Sequence, residues 1–124
     1  MPKMPEIVAS SLESLKAPVV FATVDAHGIP NAVYCMVSRV DGDKVVLCDN
    51  YFAKTRANIA SGSTGALLFI TPEMKAYQIK GTLDYVTSGP LYEEIRDSVD
   101  PKHPRVAAVV LHVSEVYCGA ERLV

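Results

Sequence analysis

The run Val106-Ala107-Ala108-Val109-Val110-Leu111 passes into alternation through Tyr117, and it constrains the fold more than any other stretch of the chain. An unbroken apolar run reads as a strand covered on both faces, and alternation as a strand covered on one. The segment 106–117 therefore predicts a strand that is buried early and half-exposed late. Such a strand needs neighbours, and five more β-rich runs supply them: 19–24, 30–40, 44–48, 66–71 and 76–87. Asp25-Ala26-His27-Gly28, Asp41-Gly42-Asp43 and Pro72-Glu73-Met74-Lys75 are the turns between them. Gly81 interrupts the fifth run, which marks a bulge, a close approach by another backbone or ligand, or a barrel corner.

Three helices fit between and before these strands. Ile7, Val8, Leu12 and Leu15 recur at helical spacing over residues 7–16, and Pro18 ends that pattern. A short helix from about Ala53 closes at Ser61-Gly62. A third is capped by Ser88, starts at Gly89-Pro90, places Leu91, Ile95 and Val99 on one face, and stops at Asp100-Pro101-Lys102-His103-Pro104. Six strands with short turns and peripheral helices predict a mainly β fold, a closed or partly open antiparallel barrel. At 124 residues the chain is expected to be a single domain over 1–124.

Composition narrows the function. Twelve basic and fourteen acidic residues with no basic block leave no nucleic-acid footprint. Met1-Pro2-Lys3-Met4-Pro5-Glu6 lacks the apolar run of an export signal, and no stretch is long enough to span a bilayer, so a soluble cytoplasmic protein without a membrane partner is expected. Cys35, Cys48 and Cys118 are odd in number and far apart, which reads as reduced core thiols rather than a disulfide framework. His27, His103 and His112 show no ligand spacing, so no metal site is expected.

The segment from Asp49 to Ile59 carries the clearest chemical signal. Lys54 and Arg56 fall in the first turn of the second helix, where the macrodipole is positive and a cation is disfavoured by roughly 0.3–1 kcal/mol. Free N–H groups, two cations and the Thr55 hydroxyl suit a phosphate group; a solvated basic turn capped by Asp49 or Asn50 is the alternative.

The order of these pieces resembles the pyridoxamine 5'-phosphate oxidase-like, FMN-binding split-barrel family, in particular its short flavin-binding proteins and flavin reductases. The resemblance runs through the opening helix, Phe21-Ala22-Thr23-Val24-Asp25-Ala26-His27-Gly28-Ile29-Pro30-Asn31, Ala53-Lys54-Thr55-Arg56-Ala57-Asn58-Ile59, Ile79-Lys80-Gly81-Thr82 and Ser114-Glu115-Val116-Tyr117. It implies a six-stranded antiparallel split barrel of Greek-key type, with FMN at a homodimer interface. Lys54 and Thr55 would hold the phosphate, with Asn58 fixing the turn or assisting, or else facing solvent. Val33, Tyr34, Cys35 and Met36 match the strand beside the flavin ring, and Asp49, Asn50 and Tyr51 the segment around the ribityl chain and ring edge. Tyr34 and Tyr51 would stack on the flavin or pack against neighbouring strands, with core packing favoured for Tyr34. Gln78 and Lys80 match positions that approach the site across the dimer, or else they point outward.

The implied activity is redox chemistry, as a flavin reductase or an electron-transfer protein. Full pyridoxamine phosphate oxidases carry further basic C-terminal segments, whereas this sequence finishes at Cys118-Gly119-Ala120-Glu121-Arg122-Leu123-Val124, which argues against vitamin B6 oxidation. NAD(P)H would have to dock transiently, because the glycine-rich nicotinamide fingerprint is missing. The alternatives are a flavin or nucleotide carrier without turnover, and a split-barrel dimer given over to haem or a deazaflavin. Apolar residues of 33–37 and of the last strand are the expected dimer contacts, unless they face the monomer's own core.

Overall fold

The structure, a computed structural model, describes residues 4–124; Met1, Pro2 and Lys3, part of the segment read above as lacking an export signal, lie outside the described residues. Helix α1 (Glu6–Ser14) leads into strands β1 (Val19–Val24), β2 (Pro30–Cys35), β3 (Val37–Asp41) and β4 (Lys44–Asp49). Helix α2 (Lys54–Ala60) precedes β5 (Gly65–Ile70) and β6 (Ala76–Val86), and helix α3 (Pro90–Ser98) precedes β7 (Ala107–Cys118) and the short β8 (Glu121–Arg122). All pairings are antiparallel, in the order β2-β1-β5-β6-β7-β4-β3 with β8 beside β7. The sheet curls into a split barrel with helices outside it, as the sequence predicts. No helix among the described residues is long and apolar enough to cross a membrane.

The strand count is corrected. Residues 30–40, expected to form one strand, break at Met36 into β2 and β3, and β8 is added, giving eight strands among the described residues in place of six. One straight strand cannot serve both neighbours here: β2 pairs with β1, whereas β3 pairs with β4 at the other end of the sheet. The chain changes partner at Met36, and a register shift between Val37 and Arg39 absorbs the turn.

The apolar run that opens β7 has a direct physical cause. Val109, Leu111, Val113 and Val116 enter the main core with Val19, Phe21, Val45, Leu47, Leu67 and Ile79. Ala108 and Val110 face the other way, under Ile95 of α3 and beside Val46 and Cys48 of β4. Where α3 covers the outside, both faces are buried and the sequence stays apolar; past Leu111 the outside is open and polar residues alternate in. Burying Ile95, 1 % exposed, stabilises this layer by about 1.5–3 kcal/mol.

Local chemistry sets the turns. The Asp25 carboxylate accepts hydrogen bonds from the N–H groups of His27 (2.8 Å) and Ile29 (2.9 Å), closing the β1–β2 turn. Gly89, at φ 96°, stands at the N-cap of α3 with Pro90 following, so the cap expected at Ser88 falls one residue later. Ala53 occupies the N-cap of α2 without a side-chain cap bond, and neither Asp49 nor Asn50 caps it.

Gly81 lies at the register shift between β6 and β7, where a Cβ atom would overlap the carbonyl oxygen of His112. Of the readings left open by the sequence, bulge and close backbone approach are therefore both realised. Gly81→Ala should push β6 from β7 and lower the unfolding free energy by at least about 2 kcal/mol, read from the urea midpoint of the variant against the parent. An unchanged midpoint would show that the two backbones do not meet as described.

Candidate functional site

The two ends of the sheet path, β2 and β3, are consecutive in the chain and joined at Met36. The barrel is thus split along a seam, and the outer edge of β2 presents to it backbone groups that no strand among the described residues pairs. A cleft of about 510 Å3 opens there, within the roughly 300–1,000 Å3 of small-ligand sites. Its walls come from three separate stretches: Tyr34, Cys35 and Met36 from the β2–β3 joint, Asn50 and Tyr51 after β4, and His103 after α3.

Two loops meet over this cleft and are stitched together. Asn50 Oδ1 accepts the N–H of Arg105 (3.0 Å), Val106 N–H donates to the carbonyl of Asp49 (2.8 Å), and the Tyr51 hydroxyl hydrogen-bonds His103 Nδ1 (3.0 Å). Tyr51 is 70 % exposed and Tyr34 75 %, so Tyr34 is not packed in the core as favoured above. Cys35 and Cys48 are held as protonated thiols: burial pushes Cys35 up to about 12, and burial followed by the Asp49 charge raises Cys48 against the opposing pull of Arg105.

Beneath the cleft lies a buried carboxylate. Asp49, fully buried, accepts Arg56 Nε at 2.7 Å and Arg56 Nη2 at 3.1 Å, the Tyr85 hydroxyl at 2.5 Å and the Phe52 N–H at 3.0 Å. This bidentate ion pair keeps the Arg56 guanidinium above its ordinary range. The anion demanded by a cation in the first turn of α2 is, for Arg56, the protein's own Asp49. Lys54 is exposed and makes no ion pair among the described residues.

The other candidates are placed as follows. Val33 packs against the core. Thr55 is 1 % exposed and its Oγ1 accepts a bond from Asn31 Nδ2 (3.0 Å), so the hydroxyl expected to meet a phosphate is turned into the protein. Asn58 is 6 % exposed and donates to Thr23 Oγ1 (3.0 Å), which ties α2 to β1, so it does not face solvent. Asp49 sits under the site, not in its wall. Gln78 and Lys80 lie on β6 away from the cleft, with Lys80 Nζ 5.4 Å from the centre of the Tyr117 ring. Among the described residues no group of three or more His, Cys, Asp or Glu side chains is arranged to hold a metal ion.

Sequence reasoning missed Asn31, Tyr85 and His103 as members of this region. Tyr85 is 36 residues from Asp49, and no periodicity signals a bond across that distance. His103 had a visible cue, a histidine between Pro101 and Pro104 in a loop after an amphipathic helix.

A family model described as pyridoxamine 5'-phosphate oxidase matches residues 7–118. An uncharacterized protein of Methanocaldococcus jannaschii is 30 % identical over an alignment of 119 residues that covers 90 % of this chain and 80 % of that protein. Among solved structures, HupZ of Group A Streptococcus superposes with a TM-score of 0.79 at 22 % identity, covering 97 % of this chain and 94 % of that one. An FMN-binding protein of Syntrophomonas wolfei gives a TM-score of 0.76 at 16 % identity over 88 % of this chain and 81 % of its own. An F420 reductase (TM-score 0.73, 19 % identity) and the haem storage protein HutZ of Vibrio cholerae (0.69, 14 %) share the fold as well.

The Asp49 network has a pH signature. Burial, and then the bond to Asp49, push the Tyr85 phenol up to about 12. A raised value in the fold means that the neutral phenol is the stabilising form. Its contribution is whole below the unfolded value of about 10 and is lost as pH rises from there through about 12. Tyr85→Phe should cost about 1.5–3 kcal/mol at neutral pH, the range for bonds to charged groups, and should remove part of the parent's alkaline loss. Urea unfolding at pH 7 and at pH 11 checks both; equal alkaline losses in parent and variant would exclude Tyr85 as the source.

Proposed function

The chain belongs to the pyridoxamine 5'-phosphate oxidase family, and on that premise we propose that it is an FMN-binding redox protein, a flavin reductase or electron-transfer protein that works as a homodimer. The observation that carries the reading is the seam cleft. Tyr34, Cys35, Met36, Asn50 and Tyr51, which the resemblance assigns to the flavin ring and its edge, line one opening although they come from two separate stretches of chain. The residues present fit a flavin: two exposed tyrosines, a strand edge with free backbone donors and acceptors, and uncommitted Lys54 two residues beyond Phe52.

In this reading Lys54 balances the phosphate, N–H groups of residues 33–36 hydrogen-bond the ring's acceptor atoms, and Tyr51 packs along the ring. Bound FMN supplies the electron chemistry, and the chain's own residues orient it and tune its potential through hydrogen bonds and nearby charge. No side chain of the cleft has to act as acid or base. A small donor such as NAD(P)H would approach transiently from the open side of the seam.

Support for a dimer comes from the outer face of the sheet. Tyr34, Val20, Leu68 and Gln78 stand in register across β2, β1, β5 and β6, and Leu68 and Ile70 are 45 % and 51 % exposed. A two-fold copy would cover this apolar face. The start of β7, by contrast, is fully buried within one chain, so the last strand's apolar run is core and not a dimer contact. Gln78 and Lys80 share the outer face, which in a dimer would carry them toward the partner's cleft.

The test is the visible absorption spectrum of the purified protein, before and after addition of FMN and removal of the excess. Flavin bands that co-elute and are identified as FMN after denaturation are expected; a protein that refuses FMN but takes up F420 or haem would overturn the flavin assignment. Lys54→Ala should weaken FMN binding about tenfold or more while leaving riboflavin, which has no phosphate, unaffected. Equal FMN affinity in variant and parent, read by titration, would remove Lys54 from the site.

A further inference from the structure

Tyr51 and His103 reach the mouth of the cleft from different loops and meet edge to face, with ring centres 5.7 Å apart and planes at 82°. The pairing is made through the tyrosine hydroxyl and His103 Nδ1, and an edge-on neighbour leaves at least one face of Tyr51 bare, consistent with its 70 % exposure. An exposed and a half-buried ring on loops ordinarily move freely, but these loops are fixed. The His103 N–H donates to the carbonyl of Asp100 (3.0 Å), and Pro101 and Pro104 flank the histidine. Arg105 holds a left-handed conformation at φ 50° while its N–H is bound by Asn50 and its carbonyl by the Tyr92 hydroxyl. A strained residue pinned from two sides sets the position of the loop. Tyr92 belongs to α3 and Asn50 to the β4–α2 loop, so the imidazole is referenced to both walls of the opening.

We propose that His103 is a positioning residue: it fixes the Tyr51 ring at the cleft mouth so that the bare face packs on the planar conjugated ring of the ligand held there. This rests on the flavin reading above and adds to it a residue that none of the matched segments contains. The physical basis is pre-organisation. A tyrosine already held in place loses less rotamer freedom when a ring stacks on it, so the bond to His103 strengthens binding without touching the ligand. The bond needs an acceptor or donor at the Nδ1 position and no charge, so asparagine, whose side-chain amide reaches that position, can replace histidine there.

The experiment uses the full chain reconstituted with FMN and reads the dissociation constant together with the emission of the bound flavin, which a stacked tyrosine quenches. In His103→Ala the bound flavin's emission should rise about twofold or more, and the dissociation constant should rise about 2- to 10-fold, the range of one aromatic contact. Tyr51→Leu should do the same or more, and His103→Ala added to Tyr51→Leu should change nothing further, because His103 acts through that ring. His103→Asn should keep the parent's emission. A parent that binds FMN with quenched emission while His103→Ala behaves identically, or effects of the two substitutions that add, would overturn the positioning role and leave the flavin reading standing. A parent that takes up no FMN would overturn both.

Discussion

The buried carboxylate of Asp49 is the point on which the site's architecture depends. It ends β4, and its oxygens accept bonds from α2 through Arg56, from β6 through Tyr85 and from the intervening loop through Phe52. Its backbone carbonyl takes the N–H of Val106, where the chain enters β7. A carboxylate with no exposure is tolerated only when its charge is paired and its lone pairs are used, and here both conditions hold. The consequence for function is geometric. Asn50 and Tyr51 follow at once, so the cleft wall they form is anchored at its root to three elements of the fold.

The seam is the second constraint, and it follows from how partners are shared along the sheet. β6 and β7 run beside each other for ten registered pairs, and their neighbours β5 and β4 continue the sheet in both directions. The strands that end this path, β2 and β3, are then joined by a single residue, Met36, and the chain itself bridges the gap that hydrogen bonds leave open. An unpaired strand edge is ordinarily a liability for aggregation. Placed inside a cleft rimmed by Tyr34, Tyr51 and His103, it becomes a row of directed donors and acceptors in a partly apolar opening.

What could be read from the sequence was whatever one chain segment decides alone. β1 was legible over residues 19–24 because they form a β-rich run that stops at the turn opened by Asp25, and β7 was legible because α3 covers one end of it. The break at Met36 was not, since no Gly or Pro marks it and the β-rich run continues through it; only the partner strands change. The inward turn of Thr55 was hidden for the same reason, because it depends on Asn31 of β2, 24 residues away. Tyr34 shows the limit most plainly: alternation tells which residues share a face of β2, but not which face the rest of the molecule covers.

The electrostatics of α2 change meaning once Asp49 is counted. A first turn with two cations asks for negative charge, and the sequence offered a bound phosphate as one answer. Arg56 has that answer internally, at 2.7 Å, and its bidentate geometry commits two of its five N–H groups to Asp49. The unmet demand therefore falls on Lys54 and on the first-turn N–H groups, which have no intrahelical acceptors. That arrangement is less cationic than a pair of free basic side chains would make it. A ligand meeting this turn must consequently draw much of its affinity from elsewhere. In the flavin reading proposed above, the seam cleft beyond Phe52, with its exposed tyrosines and strand edge, would supply it.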